Sequence, residues 1–365
     1  MSFQCGIIGL PNVGKSSLFN ALTCAGVEAA NYPFCTIEPN HAYVPVPDAR
    51  LAQLSSVVNP QNCIPTTVEF VDIAGLVAGA AQGEGLGNQF LSHIREVDAL
   101  IHVLRCFEDA DVVHVSAVVN PIADIDTIET ELALADLEMV EKVLKRCQRT
   151  AKSGDKLAIA TVDLFEKAQH QLSQGLPLRQ LDWDKDALIQ LRHAQLLTLK
   201  PVLYVANIDE QGFESNPLLE AVKQRASLEK VQVIPACIKF EAALIDNSEA
   251  EKQEFLSLLG AQETSLAQLI RAGYALLGLQ TFFTAGEQEV RAWMVPVGAT
   301  AFEAAGCIHT DFQKGFVKAA VVSYEDFIHY KGEPGAKSAG KLRLEGKNYV
   351  LQDGDVIHFR FTESR

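Results

Sequence analysis

Several hallmarks of membrane and secreted proteins are missing from this 365-residue sequence. No apolar run approaches the roughly 18 residues that a spanning helix needs, so we expect no contact with a membrane. The N-terminus has no basic segment followed by an apolar one, so we expect no secretory signal. The eight cysteines form no Cys-x-x-Cys pair, and the nine histidines lack metal-ligand spacing. We therefore expect a cytoplasmic protein with reduced thiols and no zinc site.

Basic residues are also few, since 31 Lys and Arg stand against 46 Asp and Glu and leave a net charge of −15. This excess argues against a protein that binds nucleic acid over its whole surface, and we expect no DNA partner. The acid is unevenly placed, because residues 126–197 carry a net −2 and residues 278–365 a net −1. These two segments are better suited to contact an anionic partner.

The most specific motif is Gly9-Leu10-Pro11-Asn12-Val13-Gly14-Lys15-Ser16, which reads G-x-x-x-x-G-K-S. The apolar run at 3–8 predicts a strand before it, and residues 17–22 predict a helix after it. In this context the pattern indicates a P-loop, whose backbone N–H groups and helix N-terminus bind phosphates. Lys15 is expected to reach the β- and γ-phosphates, and the Ser16 hydroxyl to bind Mg²⁺.

Two more residues are candidates for the metal site. Thr36 lies in a loop bounded by prolines, and a switch-loop hydroxyl of this kind joins Mg²⁺ when the γ-phosphate is present. Asp72-Ile73-Ala74-Gly75 follows a β-rich run and fits D-x-x-G, in which Asp72 holds Mg²⁺ through water and the Gly75 N–H contacts the γ-phosphate. The alternative for the second motif is a plain strand-to-loop turn.

The residue after D-x-x-G departs from many GTPases, which place there a Gln that orients the attacking water. Leu76 cannot hydrogen-bond water, so hydrolysis is slow or absent, or another group does this work. His114 is the catalytic candidate because an imidazole can orient water or accept its proton near neutral pH. A structural histidine is the alternative. The Asn12 amide is a candidate ligand for a monovalent cation such as K⁺ beside the phosphates.

Base selection is predicted at Asn207-Ile208-Asp209-Glu210, at the end of an apolar strand. GTPases usually carry N-K-x-D here, and the Asp accepts hydrogen bonds from guanine. In this chain Ile208 takes the Lys position, and the longer Glu210 takes the Asp position. The departure weakens guanine selectivity and permits ATP, since one buried polar contact changes specificity by several kcal/mol. A simple helix cap is the alternative.

Hydrophobic periodicity divides the chain into three parts. Alternating strands and helices over 1–125 and 198–277 predict an α/β domain with a doubly wound, mainly parallel sheet that an insertion splits. Apolar residues at helical spacing over 126–197, interrupted by Ser153-Gly154-Asp155, predict a hairpin of two long helices similar to a coiled coil. Helices packed within the sheet domain are the alternative. The strand-rich segment 278–365 predicts a small α+β domain.

One side of the predicted hairpin is basic. Helical spacing places on it Lys142, Lys145, Arg149, Lys152 and Lys156. A basic stripe on a projecting hairpin is suited to bind rRNA phosphates in a salt-dependent way. A solvated helix face is the alternative.

Together these motifs resemble the YchF / Obg-like ATPase family of P-loop proteins related to translation factors. The resemblance rests on the P-loop with Ser17, on residues 31–39 and 72–77, and on the N-x-x-E of residues 207–210. It extends through residues 281–286 and 309–312, which are similar to the C-terminal TGS domain of that family.

The resemblance implies a G domain, a helical insertion and a TGS domain, ATP preferred over GTP, and association with ribosomes. It implies a hydrophobic residue in place of the catalytic Gln and matches His114 to a histidine of the family. It assigns a base contact to Ile208 and Mg²⁺ contacts to Ser16 and Thr36. The implied phosphate contacts are Asn12, Val13, Gly14, Lys15, Ser16 and Ser17.

Three functions are compatible with these residues. The first is an ATP-hydrolysing switch in translation or the stress response, whose ATP and ADP states differ in ribosome affinity. The second is a conventional regulatory GTPase, which predicts tighter binding of GTP than of ATP. The third is a nucleotide-gated scaffold with negligible turnover, which Leu76 keeps open.

Overall fold

The computed structural model describes residues 3–27, 40–73, 86–109, 118–213, 215–244, 247, 251, 256 and 262–362. The chain forms two compact units. The first comprises Met1–Ala25, Thr36–Ala42 and Glu69–Leu269, and the second comprises Gly26–Cys35, Tyr43–Val68 and Ile270–Arg365. No helix among the described residues is both long and apolar enough to cross a membrane.

The strands are β1 (Gln4–Ile8), β2 (His41–Pro45), β3 (Asn62–Ile64), β4 (Thr67–Asp72), β5 (Ala99–Arg105), β6 (Val202–Asn207), β7 (Val233–Ala236), β8 (Leu279–Ala285), β9 (Glu289–Pro296), β10 (Phe316–Val322), β11 (Arg343–Glu345) and β12 (Val356–Phe361). The helices are α1 (Lys15–Val27), α2 (Ala49–Val58), α3 (Leu86–Glu96), α4 (Pro121–Ala151), α5 (Lys156–Ser173), α6 (Lys185–His193), α7 (Pro217–Glu229), α8 (Ile238–Leu244), α9 (Ser265–Leu276), α10 (Ala301–Ile308), α11 (Thr310–Lys314), α12 (Tyr324–His329) and α13 (Glu333–Ser338). Short 3-10 turns lie at Leu178–Gln180 and Glu210–Phe213.

The first sheet has the strand order β2-β4-β1-β5-β6-β7. The pairs β4/β1, β1/β5, β5/β6 and β6/β7 are all parallel. Every residue of β5 and β6 is buried, which is what a parallel strand covered on both faces requires. This arrangement confirms the predicted α/β fold with a mainly parallel sheet. It also brings the carboxyl ends of β1, β4, β5 and β6 to one edge.

Two long helices, α4 and α5, occupy most of the predicted insertion. Asn120 caps α4 by accepting the Ala123 N–H at 3.2 Å, and Asp155 caps α5 by accepting the Leu157 N–H at 2.9 Å. Gly154 adopts a φ of +83° in the turn between them, a conformation that favours glycine. The helices form where the sequence predicts them, while their coiled-coil character stays a prediction. Their shared core contains Val140, Leu144, Phe165, Ala168 and Leu172.

A buried carboxylate fixes the return of the chain from this helical segment to β6. Asp136 on α4 accepts the Leu197 N–H at 2.7 Å, and it also accepts the Thr198 N–H at 2.8 Å and the Thr198 hydroxyl at 2.7 Å. Burial raises the pKa of Asp136, and these three hydrogen bonds oppose that rise. Both carboxylate oxygens are therefore committed to one turn of backbone.

We expect Asp136→Asn to lower the free energy of unfolding by about 2 kcal/mol, because the new amide N–H₂ faces a backbone donor and leaves it buried without an acceptor. Urea unfolding followed by circular dichroism measures the change. Glu138→Gln, at an exposed position on the same helix, is the matched control and should leave stability within about 0.5 kcal/mol. Equal stability of the two variants would contradict the role given to Asp136.

The second unit contains a mixed sheet in the order β11-β10-β12-β8-β9-β3. One apolar cluster includes Phe282, Ile357 and Phe359, and a second cluster includes Phe283 and Val356. Helix α2 packs in the second cluster, and β3 pairs in parallel with β9. The sequence places segment 43–68 with the α/β part, whereas the structure groups it with 270–365. Nothing local in a three-residue strand specifies which sheet it joins.

Candidate functional site

The loop between β1 and α1 has the backbone that the P-loop motif predicts. Gly9 has a φ of +150°, and a Cβ placed there would lie 2.6 Å from the Val103 carbonyl oxygen. Gly14 has a φ of +104°, and a Cβ there would lie 2.5 Å from Asn207 Nδ2. Glycine is required at both positions by the backbone conformation and by the closeness of β5 and β6.

Lys15 is the first residue of α1 and is 8% exposed. Its Nζ donates a hydrogen bond to the Leu10 carbonyl oxygen at 2.7 Å, so the side chain folds back over the loop. Burial lowers the pKa of Lys15, and the negative charge of Asp72 opposes this shift. The ammonium group is thus held at the loop, with an acidic neighbour close by.

Asp72 ends β4, and its Cα pairs with that of Ile7, two residues before the P-loop. Its N–H donates to the Asn40 carbonyl oxygen at 2.9 Å. Burial raises the pKa of Asp72, and Lys15 opposes the rise. The Oδ1 atom is buried and has no hydrogen-bond partner within the described ranges. A buried carboxylate oxygen without a partner is costly, so a hydrogen-bond donor or a cation would stabilise it.

A cavity of about 920 Å³ opens at the carboxyl ends of these strands. Ligands of open α/β sheets bind at this edge, and the volume is ample for a nucleotide. The predicted residues that line the cavity are Asn12, Gly14, Lys15, Ser16, Ser17, Asn207, Ile208 and Glu210. The structure therefore brings together residues that are about 200 positions apart in the chain.

Asn207 joins the two halves of this cavity. Its Nδ2 donates to the Val13 carbonyl oxygen at 2.9 Å, and its Oδ1 accepts the Ile238 N–H at 3.4 Å. Its backbone carbonyl accepts the Cys106 N–H at 2.8 Å. Both ends of the amide are engaged within the protein, so Asn207 shapes the site by connecting the P-loop to β6 and α8.

The other end of the cavity combines apolar side chains with charged ones such as Asp209 and Lys239. Ile208 is 2% exposed and, with Cys237 and Ile238, lines this end, while Glu210 is exposed at the start of its 3-10 turn. Phe107, in the loop after β5, lines the same cavity. The sequence motifs do not include Phe107, because no short pattern marks it.

Several predicted residues cannot be placed in this geometry. Thr36, Gly75, Leu76 and His114 lie outside the described residues. Val13 is buried within the P-loop, and Asn12 has a φ of 63° and an exposed side chain. The individual roles of the site residues stay predictions.

Comparison with known proteins agrees with this geometry. Residues 279–362 match the family model YchF-GTPase_C, described as a protein of unknown function (DUF933), and residues 4–150 match MMR_HSR1, described as a 50S ribosome-binding GTPase. A Pasteurella multocida protein is 58% identical over 361 residues, which is 99% of each chain, and is named ribosome-binding ATPase YchF. The chain belongs to the YchF family. A Bacillus subtilis relative of the same name is 52% identical over 364 residues, covering 99% of this chain and all of that one.

A solved structure supports the YchF assignment across the fold. The YchF GTPase of Schizosaccharomyces pombe is 38% identical, superposes with a TM-score of 0.90, and covers 98% of each chain. The predicted resemblance to YchF is therefore confirmed. YchF membership makes this chain a P-loop nucleotide-binding protein with a distinct C-terminal domain.

Proposed function

We propose that this YchF-family chain hydrolyses ATP in preference to GTP with Mg²⁺ and acts as a ribosome-associated switch in translation or the stress response. We also propose that it acts in the cytoplasm and that its C-terminal domain is a TGS domain. The observation that carries the nucleotide preference is buried Ile208, which lines the base end of the cavity where GTPases usually have Lys.

The side chains at the base end of the cavity support a preference for adenine over guanine. A guanine-specific site needs a carboxylate at the Asp position that faces N1–H and N2–H₂, but Glu210 is one methylene longer and stands at the start of a short 3-10 turn. A carboxylate displaced by one methylene does not match the guanine edge and discriminates weakly. Ile208 and Phe107 provide apolar surface that accepts adenine without requiring a 2-amino group.

The residues at the phosphate end fit Mg²⁺. The Ser16 side chain is exposed toward the cavity, and Asp72 supplies a buried oxygen that has no protein donor in the described part of the chain. Hydroxyl and carboxylate oxygens suit this hard cation, which keeps several waters when bound. Bound Mg²⁺ would neutralise phosphate charge, with Ser16, Asp72 and the predicted Thr36 as its protein contacts. K⁺ beside Asn12 is the second proposed cation.

Turnover is proposed from the names of the relatives and from the roles predicted for Lys15 and His114. Lys15 would stabilise the charge that develops on the β- and γ-phosphates. His114 would orient the attacking water in place of the missing Gln, since Leu76 cannot. The competing scaffold function, which Leu76 favours, predicts ATP binding without phosphate release even with ribosomes and K⁺ present.

A ribosomal partner is proposed because the curated relatives are named ribosome-binding and because α4 carries exposed cations. Lys142 and Lys145 are 70% and 76% exposed, and their nearest acids are Glu138 and Glu141 at 3.8 and 3.6 Å. Exposed pairs at these distances are weak, so the cations stay available to phosphates. rRNA is the proposed contact of this face.

The deciding experiment is a titration of nucleotide-free protein with fluorescent ATP and GTP in the presence of Mg²⁺. We expect tighter ATP binding, and we expect Ile208→Lys with Glu210→Asp to weaken ATP by about tenfold while strengthening GTP. Lys15→Ala is the control, because loss of a phosphate contact should weaken both nucleotides alike. Tighter GTP binding by the unaltered chain would overturn the assignment and make it a conventional GTPase.

A further inference from the structure

We propose that Arg105 is a positioning residue for base recognition, which acts by holding Phe107 as a fixed wall of the nucleotide cavity. The inference rests on the proposed nucleotide function and adds a residue that no motif marks. Arg105 is the last residue of β5 and is 1% exposed. It lies where the strand gives way to the loop that lines the cavity.

The contacts of the Arg105 guanidinium define the shape of this loop. Its Nε donates to the Phe107 carbonyl oxygen at 3.1 Å, and its Nη2 donates to the Asp109 carbonyl oxygen at 3.2 Å. Its Cζ lies 4.7 Å from the centre of the Phe107 ring. One rigid, planar group therefore fixes two backbone positions and one aromatic ring at the same time.

Asn216 also holds the loop after β5, through a hydrogen bond to its backbone. This residue caps α7 by accepting the Leu219 N–H at 3.0 Å, and its Nδ2 donates to the Cys106 carbonyl oxygen at 2.7 Å. Gly212 lies against it, since a Cβ on Gly212 would be 3.0 Å from Asn216 Nδ2 and 2.9 Å from Ile208 Cβ. The loop bearing Phe107 and the turn bearing Ile208 thus share one anchor.

Burial excludes a direct role for Arg105 toward the nucleotide charge. An arginine that stabilises phosphates must present its N–H groups to them, whereas the Nε and Nη2 atoms of this guanidinium donate to backbone carbonyl oxygens. Phe107, Glu108 and Asp109 line the cavity, and Arg105 does not. We therefore assign its influence on the ligand to Phe107, whose carbonyl oxygen and ring it contacts.

Arg105→Lys tests this route, because lysine keeps the charge but cannot hold two carbonyls in a planar fork or stack in the same way. We expect ATP affinity to fall by about tenfold, the size of a lost hydrogen bond and cation–π contact together. Affinity for tripolyphosphate, which has no base, should not change. Arg225→Lys is the matched control, since Arg225 pairs with Asp126 of α4 and Glu229 of α7, and it should leave both affinities unchanged.

A double-mutant cycle with Phe107→Leu identifies the intermediary. If Arg105 acts through Phe107, Arg105→Lys should have little further effect on ATP affinity in the Phe107→Leu background. Additive losses would show that Arg105 acts elsewhere, and an equal loss of tripolyphosphate affinity would show a general structural role. Either result overturns the proposal. If the unaltered chain preferred GTP, the proposed ATP preference would be wrong. The Arg105 proposal could still be tested, because the same double-mutant cycle can be measured with GTP.

A second measurement needs no change at Arg105. In a ¹⁵N spectrum of the full chain, the Arg105 Nε–H should exchange slowly and be shifted upfield by the Phe107 ring. Phe107→Leu should remove the shift and leave the slow exchange, since the Nε–H still binds the backbone carbonyl of residue 107. An Nε–H that exchanges as fast as those of exposed arginines would contradict the geometry on which the proposal depends.

Discussion

Gly14→Ala is expected to lower ATP affinity by at least about 100-fold, which corresponds to roughly 2.7 kcal/mol. The φ of +104° already disfavours alanine by about 1–2 kcal/mol. The added Cβ would also lie 2.5 Å from Asn207 Nδ2. That nitrogen is buried and donates to the Val13 carbonyl oxygen at 2.9 Å, so it cannot yield without leaving a P-loop carbonyl unpaired. The substitution therefore distorts the phosphate-binding backbone itself.

Gly175→Ala separates backbone strain from this clash. Gly175 has a φ of +72°, but a Cβ there would meet no atom within 4 Å. We expect a loss of stability of about 1 kcal/mol in Gly175→Ala and no change in nucleotide affinity. Calorimetric titration with ATP and urea unfolding measure the two quantities. If Gly14→Ala bound ATP as tightly as Gly175→Ala does, the packing of Asn207 against the P-loop would not be needed for ATP binding.

The contrast between Gly14 and Asn207 shows what the sequence could and could not predict. The P-loop was predictable because its requirements are local, with glycines at fixed offsets and a Lys-Ser pair opening a helix. The role of the Asn207 amide was not, since its partner is the carbonyl of Val13, 194 positions away. The sequence pattern assigned Asn207 to nucleotide binding, whereas the structure adds a connection between distant segments.

The length of each helix or strand determined how well the sequence predicted it. Helix α4 has 31 residues, so its apolar spacing repeats often enough to be recognised from the sequence. Strand β3 has three residues, and its pairing with β9 depends on segments more than 200 positions apart. Arg105 was inconspicuous for a related reason. A cation at the end of an apolar strand suggests a surface position, and only the folded loop supplies the carbonyls that satisfy it.

His102 should make the folded chain sensitive to acid. It lies on β5 opposite Tyr204 on β6, with the two rings 5.7 Å apart, and it is 1% exposed. Its Nε2 has no hydrogen-bond partner in the part of the chain that the structure describes. Burial, together with the positive charges of Arg179 and Lys15, lowers the pKa of His102 to about 3. The imidazole is therefore neutral in the folded state between about pH 4 and pH 7.

Because the folded pKa is below the unfolded value of about 6.5, the stability linked to His102 is complete above pH 6.5 and is lost as pH falls. Below about pH 6.5 the unfolded chain binds a proton at His102 and the folded chain does not. The free energy of unfolding therefore falls by about 1.4 kcal/mol per pH unit. Between pH 7 and pH 4 we expect the unaltered chain to lose about 3 kcal/mol more than His102→Phe, whose ring cannot titrate.

Urea unfolding of both proteins across this pH range gives the difference directly. His193→Gln removes an exposed imidazole from the end of α6 and should retain the acid sensitivity of the unaltered chain. Other groups that titrate in this range are common to both proteins, so their contributions cancel in the comparison. Parallel stability curves for the unaltered chain and His102→Phe would mean that the folded sheet accepts a proton at His102. The strands that lead to the nucleotide cavity would then have to open at moderate acidity.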